Sequence, residues 1–408
     1  MSVADVVIVG GGLAGSLAAA MLGRRGYDVA LVDPHEAYPP DFRAEKLDGS
    51  QVHILEKTGL ATPILRAATH DRRSWVARRG RVVDRRPGDQ HGILYDTLVN
   101  TVRSLIPPKV RTIIGKVNDV STSDDRQQVT LASGETLSAR LVVVANGLNV
   151  GLRHKLGMTR EDISPCHSIM LGFDVKPKGS EAFPFPALTY FGERPQDRVA
   201  YITLFPIGST MRANFSIYRS HDDPWLREFR KAPQATLYSV LPGLRKFLGD
   251  FEVPRFVQIR PADLYVTREH RRAGVVLIGD AFSTSCPGAG TGTSKVFTDV
   301  ERLCNEHIPH WLATSGMDAE KIAQFYDDPV KVAADRASLE KAFWLRSMST
   351  EEGLAWKARR ASRFVVRWMI GTARRFAEIF TTRQQTNVGA PSAQLGAVGE
   401  GSGAPLAR

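Results

Sequence analysis

The chain has few cysteines for its length: Cys166, Cys286 and Cys304 are the three among 408 residues. They form no metal-ligand spacing and no disulfide framework, which fits a reducing compartment, and each thiol is expected as a small buried group. Also missing is any apolar run near the roughly twenty residues that a membrane helix needs. Met1 leads almost at once into a strand-like run, leaving no room for a signal peptide, so the expected location is the cytoplasm. With 43% hydrophobic residues and mixed charge the composition reads as soluble and globular, and the length allows two or three domains.

Acidic residues are scarce toward one end. The net charge is +11, and much of it comes from Lys357, Arg359, Arg360, Arg363, Arg367, Arg374, Arg375 and Arg383, opposed between Trp356 and Arg383 only by Glu378. No recognition motif for nucleic acid accompanies these cations, so nucleic acid is excluded as a partner. They alternate with Phe364, Val365, Trp368, Ile370, Phe376 and Ile379, a pattern that predicts a helix over 356–380. Such a helix either covers a domain with a solvated basic face, or docks on an anionic membrane surface or an acidic carrier protein. Residues after Arg383 are mostly Gly, Ala, Ser and Gln and are expected as a disordered tail.

What is present is concentrated first in Asp5 to Asp33. An apolar strand enters Gly10-x-Gly12-x-x-Gly15, an Ala-rich helix follows from Ser16 to Arg25, and a second strand, Val29 to Val32, ends on Asp33. This is the pattern of a βαβ unit for a dinucleotide. Gly10 makes the tight turn, Gly12 admits a pyrophosphate to the backbone, and Gly15 lets helix and strand pack closely. The helix N-terminus, from Leu13 and Ala14 on, offers N–H groups to the diphosphate. Asp33, about twenty residues further, is placed to accept hydrogen bonds from a ribose. The motif alone does not separate NAD from FAD.

Further along, Arg43 to Leu47 is expected to open an amphipathic helix running to Gly59, and Ile93 to Ile106 a second one. Ser74 to Ala77 and Arg81 to Val83 read as short strands, and Val110 to Gly115, Val117 to Ser121, Gln128 to Leu131 and Thr136 to Leu137 as a small meander. Leu141 to Ala145, apolar on both faces, is expected as a central parallel strand. Val199 to Phe205 and Met211 to Tyr218 form a hairpin around the loop Pro206 to Thr210, and Gln234 to Leu241 a short helix. Met211, Ala213, Phe215 and Ile217 alternate with Arg212, Asn214 and Ser216, which predicts an antiparallel sheet with one covered face. The fold class is therefore α/β with an α+β second domain: a Rossmann-type domain, an antiparallel sheet and C-terminal helices. Boundaries are expected at 1–162, 163–262, 263–310, 311–383 and 384–408, with 66–90 a candidate contribution to the second domain.

The second informative stretch is Gly274 to Gly292. A buried strand delivers Asp280 to the carboxyl edge of the sheet, where ligands bind in open α/β folds. Pro287 and the glycines at 288, 290 and 292, around Thr291, then let backbone approach a flat ligand before a helix begins. That second surface assigns the dinucleotide to FAD.

On these residues the chain resembles the class A flavin-dependent monooxygenases, the aromatic hydroxylases of the p-hydroxybenzoate hydroxylase type, over roughly residues 5 to 310. Gly10 to Gly15 with Asp33 is similar to the family's ADP-binding motif, and Gly279-Asp280-Ala281 with Pro287-x-x-Gly290-x-Gly292 to its flavin motif. Arg43 occupies the place of an arginine that approaches the cofactor. The resemblance implies FAD held at Gly10, Gly12, Leu13, Ala14, Gly15, Asp33, Arg43, Asp280, Pro287, Gly290, Thr291 and Gly292, with no metal. It implies reduction by NAD(P)H, directly or through a partner flavin reductase. It further implies oxygenation by O2 of an aromatic or other electron-rich, lipophilic small molecule through a flavin C4a-hydroperoxide. The family's middle motif is altered here to Asn146-Gly147-Leu148-Asn149-Val150-Gly151-Leu152-Arg153, and Tyr95 stands near a place where many relatives carry arginine. Polyprenyl reductase, flavin-dependent halogenase and non-catalytic FAD-binding protein are the alternatives. The halogenases' Trp-x-Trp-x-Ile-Pro segment is not found. His167, Tyr190, Tyr201 and Arg212 are polar residues of the expected substrate lobe, and none is singled out as catalytic.

Overall fold

The computed structural model describes residues 3–387, with side chains described as far as residue 374. The first apolar run becomes the strand Ala4–Val9, and the glycine turn hands it to the helix Leu13–Arg24. Val29–Asp33 lies parallel to that strand on one side and Thr136–Val144 on the other, with Val6 opposite Val29 and Leu141. Val6, Val7, Ile8 and Leu141 to Val144 are all buried. Parallel strands covered on both faces require such unbroken apolar runs.

Two expectations change in this sheet. Arg111–Ile114 is not part of a meander; it pairs in parallel with Val29–Asp33. Its partner is chosen by the preceding crossover helix Tyr95–Ser104, which local alternation cannot reveal. Thr136 to Leu137 and Leu141 to Ala145 are one strand, Thr136–Val144. Its first half pairs antiparallel with Gln127–Leu131 and its second half in parallel with Val275–Leu277, so the backbone stays extended through the polar Ser138 and Arg140.

The helix expected from Arg43 begins later. Lys46–Leu47 is a short strand paired with His91–Gly92, and Asp48 caps the helix Gly49–Glu56 by accepting from the Gln51 N–H at 3.0 Å. Asp48-x-x-Gln51 is a capping box, a local signal that outweighs the helical spacing before it. Arg43 is thereby left on extended chain, free to cross to another motif.

An eight-stranded sheet forms the second layer. Its path runs Phe251–Glu252, Arg160–Pro177, Thr210–Ile217, Val199–Ile207, Leu188–Phe191, Arg73–Arg78, Arg81–Pro87, with Gln258–Thr267 also on Arg160–Pro177. The hairpin turn is tighter than expected, since Ile207 pairs with Thr210. Ala213, Phe215 and Ile217 face Leu226, Phe229 and Leu237 of the helices Pro224–Lys231 and Pro233–Val240. The opposite face is not open to solvent as the alternation implied: Arg212, Asn214 and Ser216 are buried too. Arg212 tolerates burial because ion pairs with Glu45 and Asp174 replace water.

The chain ends in the helices Ala319–Tyr326, Pro329–Thr350 and Leu354–Asn387. The last one packs on the edge strand Arg81–Pro87. It runs past Arg383, where a tail was expected; residues 388–408 of that tail lie outside the described residues.

Candidate active site

Three stretches far apart in sequence meet at the carboxyl edge of the parallel sheet. In the glycine turn, Gly10 has φ +102°, and a Cβ there would lie 2.6 Å from the Ala145 carbonyl oxygen. A left-handed conformation against backbone leaves room for glycine alone. Gly12 precedes the helix Leu13–Arg24, whose N-terminus has no side-chain cap and no acidic residue in its first turn. Its first-turn backbone and positive dipole end, at Leu13 and Ala14, are those of an anion site. Gly15 serves packing instead, because a Cβ on it would fall 1.9 Å from the Gly10 oxygen.

Asp33 is tied into the same turn. One carboxylate oxygen accepts the Gly11 N–H at 2.7 Å, and the other lies 2.9 Å from the Arg103 guanidinium. Arg103 also donates to Gly11 O at 2.7 Å, so it braces the turn from behind. No motif marks Arg103 in sequence; its role depends on where the helix Tyr95–Ser104 ends.

Arg43 joins the first motif to the last. Its Nη1 is 2.9 Å from Asp280 Oδ2 and its Nε 2.7 Å from Asp41 Oδ2, and Tyr95 lies under the guanidinium at 5.9 Å. Burial acts to lower the Arg43 pKa, its surroundings more than offset this so that the pKa is raised, and burial pushes the Tyr95 phenol well above its usual range. Asp280 is held through its backbone: Tyr265 donates to Asp280 O at 2.8 Å, and Gly279 N–H donates to Asp299 at 2.8 Å. Asp299 is in turn paired with the buried Lys331 at 2.7 Å.

The loop after Cys286 turns through Pro287–Ala289, and Gly290 at φ +66° leads to Thr291 and the helix Gly292–Arg302. Gln51 donates to Gly290 O at 2.9 Å, and Thr291 shares a 2.6 Å hydrogen bond with Ser338. A Cβ at Gly12 or Gly292 would meet nothing nearer than 3.8 Å, and one at Gly290 nothing within 4 Å. Bare backbone facing open space at both ends of the site fits a long, partly planar dinucleotide.

The sequence model of the FAD binding domain matches residues 3–306. The chain belongs to this family of class A flavin-dependent monooxygenases. It is an FAD-dependent oxidoreductase of the hydroxylase type. It is 23% identical to 3-demethoxyubiquinol 3-hydroxylase of Escherichia coli K12, across 73% of this chain and 78% of that one. It is 26% identical to kynurenine 3-monooxygenase of Salinispora arenicola, across 72% and 70%. Among solved structures, p-nitrophenol 4-monooxygenase PnpA from Pseudomonas putida DLL-E4 shares the fold at TM-score 0.71 and 19% identity, over 89% of this chain and 93% of that one.

In this monooxygenase the arginine of the altered middle motif is a structural brace. Arg153 is buried and donates to Ala281 O at 2.6 Å and Thr267 Oγ1 at 3.0 Å, which anchors the Asp280 turn from below. The polar residues of the sheet domain are likewise engaged. The buried His167, its pKa lowered by burial, bonds Ser164 and Ala342 O. Tyr190 donates to Glu193 at 2.5 Å and Tyr201 to Gly288 O at 2.5 Å, so Tyr201 holds the loop from the sheet side. Arg212 meets Glu45 through two contacts of 2.8 and 2.9 Å, Asp174 at 3.1 Å and Gln258 at 2.6 Å. The structure thus brings Asp33, Arg43, Asp280 and both glycine loops together, and leaves His167, Tyr190 and Arg212 as internal supports.

Proposed function

We propose that the chain hydroxylates a neutral, lipophilic aromatic or similarly electron-rich compound, using NAD(P)H and O2. FAD, when bound, supplies the electron transfer and the oxygen chemistry. Its diphosphate is assigned to Gly10, Gly12, Leu13, Ala14 and Gly15, its adenosine ribose to Asp33, its ribityl side to Arg43 and Asp280, and its ring to Pro287, Gly290, Thr291 and Gly292. The observation that carries this reading is the Arg43 to Asp280 contact at 2.9 Å, which links three motifs at one sheet edge. The chain divides on this reading into FAD-binding segments, 1–162 and 263–310, around a substrate domain at 163–262, to which 66–90 contributes the strands Arg73–Arg78 and Arg81–Pro87.

The chain's own task is to orient the substrate over the ring and keep water away from it. A neutral substrate is favoured because Arg212, the buried cation on the polar face of the sheet, is matched by Glu45 and Asp174. A substrate carboxylate would have to displace that pairing. Anaerobic addition of NADH or NADPH to the FAD-loaded chain should bleach the flavin. Oxygen and a panel of phenols, indoles and quinone precursors should then give a product heavier by one oxygen atom. Bleaching only with an added reductase would assign reduction to a partner. A chain that takes up no FAD, or that yields only hydrogen peroxide with every compound, would sink the proposal.

Asp33→Ala should weaken FAD retention by about 1–3 kcal/mol, the usual loss when a charge-assisted hydrogen bond goes. Equilibrium dialysis of FAD against both chains measures this, and equal affinity would count against the ribose assignment. For delivery of a lipophilic substrate, the exposed side of Leu354–Asn387 is the proposed contact with an anionic membrane surface. Val365, Trp368 and Met369 are 54%, 54% and 51% exposed there, among basic neighbours. Equal affinity of the full chain for neutral and anionic vesicles would remove that contact.

A further inference from the structure

A second constellation lies where the C-terminal helix meets the edge strand of the sheet domain. At Gly371 the helix approaches so closely that a Cβ would be 2.5 Å from Val83 O. Beside that contact is a groove of about 440 Å³, lined by Asp84 and Arg86 from the strand and by Arg363, Val366, Arg367 and Ile370 from the helix. With Arg374, its walls hold four guanidinium groups against one carboxylate. Asp84 is already engaged, since Arg374 lies 3.3 Å from it. Among the described residues, no carboxylate is within ion-pair distance of Arg86, Arg363 or Arg367, and the buried Nε of Arg86 has no hydrogen-bond partner.

The strand Arg81–Pro87 is four strands away from Thr210–Ile217, which carries Arg212. At about 4.8 Å per strand this is roughly 19 Å across the sheet, so the groove is separate from the Arg212 cluster. The Arg363 guanidinium lies 4.6 Å from the ring centre of Trp344 and 5.6 Å from that of Phe191, and the Arg367 guanidinium 5.4 Å from that of Phe191. Burial, and then neighbouring guanidinium charge, lowers the pKa of both. Like charges gathered on two packed elements are costly unless an anion joins them.

We propose that this groove is a binding site for a phosphate group, held by Arg86, Arg363 and Arg367. Three forked donors from two directions call for more acceptor oxygens and more charge than one carboxylate has. The aliphatic wall at Val366 and Ile370, about half exposed at 49% and 47%, fits a phosphate that is joined to an apolar group. Two sources share this chemistry: a soluble phosphoryl compound, and the headgroup of an anionic phospholipid.

The test uses the FAD-loaded full chain and two probes, inorganic pyrophosphate by calorimetry and phosphatidylcholine vesicles with or without phosphatidylglycerol by co-sedimentation. The double variant Arg363→Gln, Arg367→Gln should bind at least one probe about tenfold or more weakly, as expected for lost charge-assisted bonds. Arg126→Gln, an exposed charge removed outside that helix, should stay within about twofold. Loss in the pyrophosphate arm alone assigns a soluble phosphoryl ligand, and loss in the vesicle arm a headgroup. If the double variant fails to fold, Arg86→Gln carries the same expectation. Absence of binding by the native chain, or an equal loss in Arg126→Gln, overturns the site.

Discussion

Gly15→Ala is expected to unfold at much lower urea concentration than the native chain and to retain little FAD. The added methyl would lie 1.9 Å from the Gly10 oxygen and 3.1 Å from its carbonyl carbon, and both are backbone. Gly10 cannot withdraw, because its N–H is bonded to Val32 O at 2.8 Å and its other side abuts Ala145. The helix must therefore lift away from the sheet and lose packing at Leu17 and Ala18, which are fully buried. Overpacking of this kind costs about 3 kcal/mol or more where neither side can give. Gly12→Ala provides the contrast, since the nearest atom to its Cβ is 3.9 Å away on the Tyr38 ring. That variant should fold within about 1 kcal/mol of native and still bind FAD at least tenfold more weakly, because its methyl enters space assigned to the diphosphate. A Gly15→Ala chain with native urea stability would mean that the helix and strand are not in the close contact described.

Arg212→Met should lower stability by about 3–5 kcal/mol at neutral pH, the usual cost of removing one member of a buried charge group. Glu45 and Asp174 would then face each other without the guanidinium, and Glu45 is nearly inaccessible to solvent. Burial already raises the Glu45 pKa, with Arg212 opposing that rise. Without Arg212 the folded-state pKa moves further above the unfolded value of about 4.3. The folded state then holds a proton that the unfolded state releases, so stability falls as pH rises through that window. The deficit should be smallest near the unfolded carboxylate pKa and largest at neutral pH. Urea unfolding across that range measures it, and a deficit independent of pH would mean that Glu45 does not carry the uncompensated charge.

Arg212 also shows how far sequence reading reached at the site. Its alternation with Met211 and Ala213 placed it opposite the apolar core. Nothing local could show that Glu45, 167 positions earlier, would be its partner and would make both faces of the sheet buried. The glycine motifs were legible because each demand is local: a turn, a close approach, a helix start. Gln51 was legible in principle through its capping box, but its reach to Gly290 was not. Arg103 and Lys331 had no local signature, since Arg103 acts on the Gly11 carbonyl and Lys331 on the Asp299 carboxylate, both in other segments.

The sequence by itself determined the dinucleotide unit, the acid and glycine loop for a flavin, the parallel core strands and the basic character of the last helix. These depend on residue type at short spacing, where conformational preference and burial act within a few residues. The tertiary structure decided which strand Arg111–Ile114 joins, that Arg43 meets Asp280, that the polar sheet face is covered, and that four arginines line one groove. Those outcomes depend on partners tens to hundreds of residues away, brought together by crossover helices and sheet order rather than by any local preference.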